Sequence, residues 1–244
     1  MMTKKNVDQP MTMTVSLRGK NVVMSNAISR AAQSLSLAEK RIIFAAIAQM
    51  GGKYAPVRIT AQEYANTFGM PLKQAYSQLK EASENFFNRY IRFKLNEVSE
   101  IDVDVWKIRW LGAYKYNDGE ANVLLHFTPQ VMPYLCELED NFTKYQLSQA
   151  CALRSVHSWR LLELFEQMNT NKENNGWLSI SLEDFHHAME SPDSYKTTFG
   201  LLRKYMIEPA VKELTEKDHW MIDWKPIKKG RKVVRLEFWF RKEN

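Results

Sequence analysis

Toward the end of the chain, Lys228, Lys229, Arg231 and Lys232 crowd around Gly230. Cations clustered on a turn neutralise phosphates, so this stretch is a candidate polyanion contact with strongly salt-dependent affinity. Upstream, Lys196, Thr197, Gly200, Arg203 and Lys204 share one side of a helical wheel, opposite a stripe of Tyr195, Phe199, Leu202 and Met206. No acid interrupts that polar side. An arginine placed there can present its planar fork to guanine O6 and N7, a contact worth ~1–3 kcal/mol of base discrimination; Arg203 is the first choice for it. Gly200 costs roughly 1 kcal/mol relative to Ala inside a helix, and close approach of the backbone to a groove wall would justify it. A second polar face, this one including an acid, holds Lys73, Gln74, Ser77, Gln78, Lys80 and Glu81, opposite Leu72, Ala75, Tyr76, Leu79, Ala82 and Phe86. Gln and Ser carry both donors and acceptors, as base edges require, whereas a merely solvated face is usually richer in Glu. Leu72, Tyr76 and Phe86 are expected in the core. Arg154 and Ser155 open another helix, whose free amides could hold a further phosphate. The ligand implied by all these residues is double-stranded DNA.

Catalytic chemistry has less to build on. A nickase needs two histidines on one face of a strand and a nucleophilic tyrosine. Here the paired histidines, His186 and His187, are adjacent, so a strand would point them to opposite faces; Tyr195 is better used as core. Gly51-Gly52-Lys53 lacks the spacing of a phosphate loop. Cys136 and Cys151 form neither a disulfide framework nor a metal pair, which suits a reducing cytoplasm. No enzyme activity, cofactor or metal is expected.

The elements that must position these residues occur twice. Val57-Arg58-Ile59-Thr60 through Gly69-Met70-Pro71 matches Leu178-Ser179-Ile180-Ser181 through Glu190-Ser191-Pro192 at a constant offset of 121 positions. Each copy reads as a short strand, a helix capped by a hydroxyl (Thr60, Ser181) with an acid three residues on (Glu63, Asp184), and a stop before proline. A helix with one basic face follows, over 72–88 and 194–216; Pro209 should kink or restart the second. An amphipathic helix precedes each copy, the first opened by Ser36 and Glu39 and closed at Gly51. Strands come next, around residues 91–95, 103–110 and 121–127 with a turn at Asn117-Asp118-Gly119, and a hairpin closing at residues 225–232. Residues 129–138 are expected as a helix closing the first unit. Helix, strand, helix, helix, hairpin, repeated, is an α+β plan of two tandem winged-helix domains. The expected division is a flexible arm at 1–20, a first domain at 21–140, a linker at 141–150 and a second domain at 151–244.

Length and charge agree with that plan. A chain of 244 residues can hold two cores of ordinary size. Its net charge of +6 is uneven: residues 225–244 hold eight Lys/Arg against two Glu, while 97–140 hold nine Asp/Glu against three Lys/Arg. A basic end and an acidic middle point to a polyanion surface at one and a different contact at the other. Apolar runs fall far short of a membrane span.

In order and spacing, the chain resembles the iteron-binding plasmid replication initiators of the RepE type. The resemblance is carried by Asn26-Ala27-Ile28 through Leu35-Ser36-Leu37-Ala38-Glu39-Lys40-Arg41, by Phe142-Thr143-Lys144-Tyr145-Gln146-Leu147, and by Ser158-Trp159-Arg160-Leu161-Leu162-Glu163-Leu164. It continues through Tyr195, Phe199, Leu202, Glu213-Leu214 and the turn at 228–232. It implies a bacterial, plasmid-associated protein that binds direct repeats at an origin as a monomer, its C-terminal domain reading the major groove. It further implies a homodimer, held through the N-terminal domain, that represses its own promoter at an inverted repeat. Origin opening and recruitment of the host replication initiator and replicative helicase also follow from it. By position, the contacts implied in the C-terminal domain fall on Lys196, Arg203, Lys204 and the turn. A winged-helix transcription regulator using the same helices at a palindrome, with no replication role, remains the alternative.

Overall fold

The computed structural model describes residues 15–94, 106–136, 138, 140–169 and 175–242. Two three-stranded sheets of the same topology organise the chain. In the first, β2 (Val57–Thr60) pairs with β6 (Asn122–Phe127), which forms a hairpin with β5 (Leu111–Asn117), in the order β2-β6-β5. In the second, β8 (Asn175–Ser181) pairs with β10 (Lys232–Lys242), which forms a hairpin with β9 (Trp220–Lys229), in the order β8-β10-β9.

Each leading strand runs into the capped helix expected from the repeat. Thr60 Oγ1 accepts the Glu63 amide at 3.1 Å and opens α3 (Ala61–Phe68). Ser181 Oγ accepts the Asp184 amide at 3.0 Å and opens α7 (Leu182–Met189). Both helices stop at a left-handed residue, Gly69 in the first copy and Glu190 in the second. Ahead of them lie α2 (Leu37–Met50), with its capping box and Gly51 terminator, and α6 (Val156–Met168). After them come α4 (Leu72–Phe87) and a broken helix beginning at α8 (Asp193–Thr197). Alternation along the strands sends Leu178, Ile180, Leu236, Phe238 and Phe240 into a core shared with Phe165 and Trp220, where rings pack at 4.2–6.1 Å.

Four expectations are corrected. Residues 141–150 are not a free linker: β7 (Phe142–Gln146) pairs antiparallel with β1 (Asn21–Ser25), and α5 (Leu147–Cys151) follows. Tyr145 and Leu147 are buried there, so apolar alternation tied the segment down. The arm assigned to 1–20 is docked over its last residues, because Leu17 is buried and Thr67 bonds the Leu17 amide and the Arg18 Nε–H at 3.0 and 2.7 Å; residues 1–14 lie outside the described residues. Leu72 is half exposed rather than core, being the first residue of its helix and ahead of the buried stripe that starts at Ala75. The helix expected over 129–138 is one short turn at Met132–Tyr134, preceded by β3 (Tyr90–Phe93), β4 (Trp106–Arg109) and the β5–β6 hairpin. The strand tracts expected at 95 and 103–105 fall outside the described residues.

The two halves meet through α1 (Asn26–Arg30), whose carbonyls at Ser29 and the following Ala31 accept from Arg160 Nη2 at 3.0 and 2.6 Å. Arg160 and Lys40, on α6 and α2, share the carboxylate of Glu163, all three side chains buried. Gln33, Tyr145 and Trp159 complete that network through hydrogen bonds. A buried charge survives only when it is paired and its remaining donors are satisfied, and here the partners come from α2, α6, β7 and the segment after α1.

Candidate nucleic-acid interface

The second module presents its cations openly. The β9–β10 hairpin turns at Gly230, in the left-handed region at φ 63°, and at Arg231, with Lys229 directly opposite Lys232. A two-residue turn of this kind needs positive φ, which Gly supplies without steric cost. Lys228, Lys229, Arg231 and Lys232 are exposed, and none makes an ion pair or side-chain hydrogen bond among the described residues. Four uncompensated cations on one turn make a local positive field of the kind that can neutralise phosphates.

The helix expected over 194–216 is segmented. Thr198 is extended (φ −130°, ψ 98°), separating α8 from α9 (Phe199–Leu202); a π-turn spans Arg203–Ile207, and α10 (Glu208–Asp218) follows. Pro209 explains the lower break. It cannot donate to the Tyr205 carbonyl, and its ring would clash there, so the chain widens by one residue and the Glu208 amide bonds the Arg203 carbonyl. The buried stripe is narrower than the wheel drew: Leu202 and Met206 are fully buried, while Tyr195 and Phe199 are only partly covered.

Lys196, Thr197, Gly200, Arg203 and Lys204 all remain exposed. Lys196 Nζ lies 2.8 Å from Asp193, which holds that carboxyl below its usual range. Arg203 Nε donates to Glu208 at 2.6 Å, and its guanidinium sits 5.8 Å from the Trp224 ring centre. Lys204 Nζ lies 5.1 Å from the Tyr205 ring. A Cβ on Gly200 would meet no atom within 4 Å, so the protein's own packing does not ask for glycine there.

In the first module, Lys73, Gln74, Ser77 and Lys80 are exposed on α4 as expected. Their setting is less cationic. Lys80 Nζ pairs at 3.0 Å with Asp118, at the β5–β6 turn, and Tyr76 donates its hydroxyl to the same carboxylate. Those hydrogen bonds hold the Asp118 carboxyl below its usual range. Asp118 and Glu120 thus stand at the hairpin where the second module has lysine and arginine, and this contrast separates the two faces.

Arg154 and Ser155 do not open a free anion site. Their amides donate to Glu213 at 2.8 and 3.2 Å, and Ser155 Oγ accepts the His157 and Ser158 amides. The start of α6 is therefore capped by a carboxylate from α10, and only the Arg154 side chain remains exposed. Sequence reasoning also missed Glu208, because its pairing with Arg203 depends on the π-turn. Pro209 was the available signal.

A strand, a capped helix, a second helix and a hairpin on one sheet, present twice, define a tandem winged-helix protein. Residues 21–166 match the family described as Initiator Replication protein, WH1, and residues 181–240 match Initiator Rep protein, WH2. The chain belongs to this initiator Rep protein family. Among solved structures it resembles the Pi initiator protein in complex with iteron DNA, with a TM-score of 0.77 and 20% identity over 93% of this chain and 98% of that one. At that identity the likeness is one of fold. The WH1 domain of MSBI1.176, a replication protein isolated from a multiple sclerosis patient, is 28% identical over 41% of this chain and 79% of its own, with a TM-score of 0.34. An uncharacterized 27.6 kDa protein of Escherichia coli is 22% identical over 212 residues, 80% of this chain and 85% of that protein. No helix among the described residues is long and apolar enough to cross a membrane.

Proposed function

We propose that this chain initiates plasmid replication by binding direct repeats at the origin, the C-terminal module reading the major groove and the N-terminal module making auxiliary contacts. The observation that carries this reading is the contrast between the two hairpins. The second bears four unpaired cations beside an exposed helix face with Arg203 and Lys204, and the first bears Asp118 and Glu120. Phosphate contact at the second hairpin sets register, and the α8–α9 face then meets base edges. The fold shared with an initiator solved on iteron DNA supports the choice of ligand. In this reading the monomer occupies repeats and helps open the origin, with the host replication initiator and replicative helicase as partners. A homodimer formed through the first module represses the protein's own promoter.

The test is a titration of the purified chain against duplexes carrying one, two and four copies of its plasmid's repeat, a promoter palindrome and random DNA, at several salt concentrations. Monomeric occupancy of each repeat, with a preference over random DNA of roughly a thousandfold or more, is expected. Preference for the palindrome alone, as a dimer, would make the protein a transcription regulator instead.

A further inference from the structure

Glu208 is an acid on the face assigned to a polyanion, and its geometry gives it a purpose. In an α-helix residues five apart point about 140° away from each other. The π-turn narrows that divergence, and Glu208 ties Arg203 twice: its amide donates to the Arg203 carbonyl, and its carboxylate accepts the Arg203 Nε–H at 2.6 Å. Pro209, which cannot donate to the Tyr205 carbonyl, favours the widened turn. Trp224, from the hairpin strand β9, lies 5.8 Å from the guanidinium. Nε is thereby engaged, while the two terminal nitrogens, which form the fork that grips a guanine edge, make no hydrogen bond among the described residues. Fixing a long side chain before binding lowers the ordering cost at the moment of contact.

We propose that Glu208 is a positioning residue for sequence readout: it holds Arg203 in one orientation so that its terminal nitrogens meet one base pair, at the cost of some repulsion from the DNA backbone. The inference rests on the DNA-binding reading above and adds to it the source of discrimination at one position.

The two roles an acid can have here differ in sign. A solvated carboxylate beside DNA only repels phosphates, so its removal tightens cognate and random duplexes alike. A positioning carboxylate, when removed, tightens random DNA but loses discrimination. The experiment compares Glu208→Ala, Glu208→Gln, Arg203→Ala and the wild-type full chain by fluorescence anisotropy. The duplexes are the plasmid repeat, a set of single-base variants of it, and random DNA, with circular dichroism melts confirming that each variant folds. Glu208→Ala is expected to lose about tenfold of discrimination at the same base pair that Arg203→Ala makes indifferent. Glu208→Gln keeps a carbonyl oxygen for the Nε–H and is expected to retain most of it. Equal tightening of cognate and random DNA by Glu208→Ala, with discrimination intact, overturns the positioning role while leaving repeat binding in place. A wild-type chain with no preference for repeats overturns both.

Discussion

The carboxylate of Glu190 accepts hydrogen bonds from the backbone amide of Ser34 at 2.5 Å and from its hydroxyl at 2.9 Å, and both residues hold left-handed backbone, at φ 50° and 54°. Arg92 closes the same carboxylate at 2.5 Å. Glu190 stands where the first copy of the repeat has Gly69, whose φ is 64°. The second copy therefore keeps the helix-ending conformation but fills it with a side chain that reaches the other half, accepting strain of roughly 1–2 kcal/mol that glycine would avoid.

Glu190→Ala should destabilise the chain by about 1–3 kcal/mol, since it keeps the strain and loses the charged hydrogen bonds, discounted for partial exposure. Glu190→Gly should lose less, because the strain is relieved. Urea midpoints of the two variants check the order; Gly less stable than Ala would refute the account.

Burial lowers the Lys40 ammonium to about 7 against the pull of Glu163, 2.7 Å away. The unfolded lysine titrates near 10.5. Between these values the unfolded chain holds a proton that the folded chain has released, so this group makes stability rise with pH from about 7 to 10.5. Below that window both states are protonated and its slope vanishes. Lys40→Met should flatten the rise, which a series of denaturant midpoints against pH would reveal as the difference between variant and wild type.

Gly200→Ala places a methyl group in open space. Helix propensity predicts a gain of up to ~1 kcal/mol in stability, whereas a groove wall close to the backbone predicts weaker repeat binding. Unchanged or tighter affinity with a raised Tm would show that glycine is there for no DNA-related reason.

Arg203→Ala should weaken the cognate repeat and relax one base position, by ~1–3 kcal/mol. Lys229→Ala should weaken all duplexes alike and reduce the salt slope by about one. Equal losses on cognate and random DNA for both variants would end the division between reading and anchoring.

The repeat at an offset of 121 was legible because caps and turn residues act locally. Thr60 with Glu63, Ser181 with Asp184, Ser36 with Glu39 and Gly51 all satisfy or terminate a helix within four residues. The basic turn was legible for the same reason, since Gly230 and its neighbours form it without distant partners. Three of the readings that failed involved distance: the docking of Leu17 on α3, the pairing of β7 with β1, and Glu213 reaching the start of α6 from 58 residues away.

Taken alone, then, the amino-acid order determined the kind of protein this is: two α+β modules, an apolar stripe behind each exposed helix, and a cationic hairpin only in the second. Periodicity and local capping encode these, because each depends on residues within a turn or a strand of one another. Tertiary structure decided which charges are available. It spent Lys80 on Asp118, buried Lys40 and Arg160 around Glu163, closed the amides of Arg154 and Ser155 with Glu213, and set Arg203 against Glu208 through the turn that Pro209 favours. A charge's worth to a ligand depends on what already neutralises it, and those partners are brought together only by the fold.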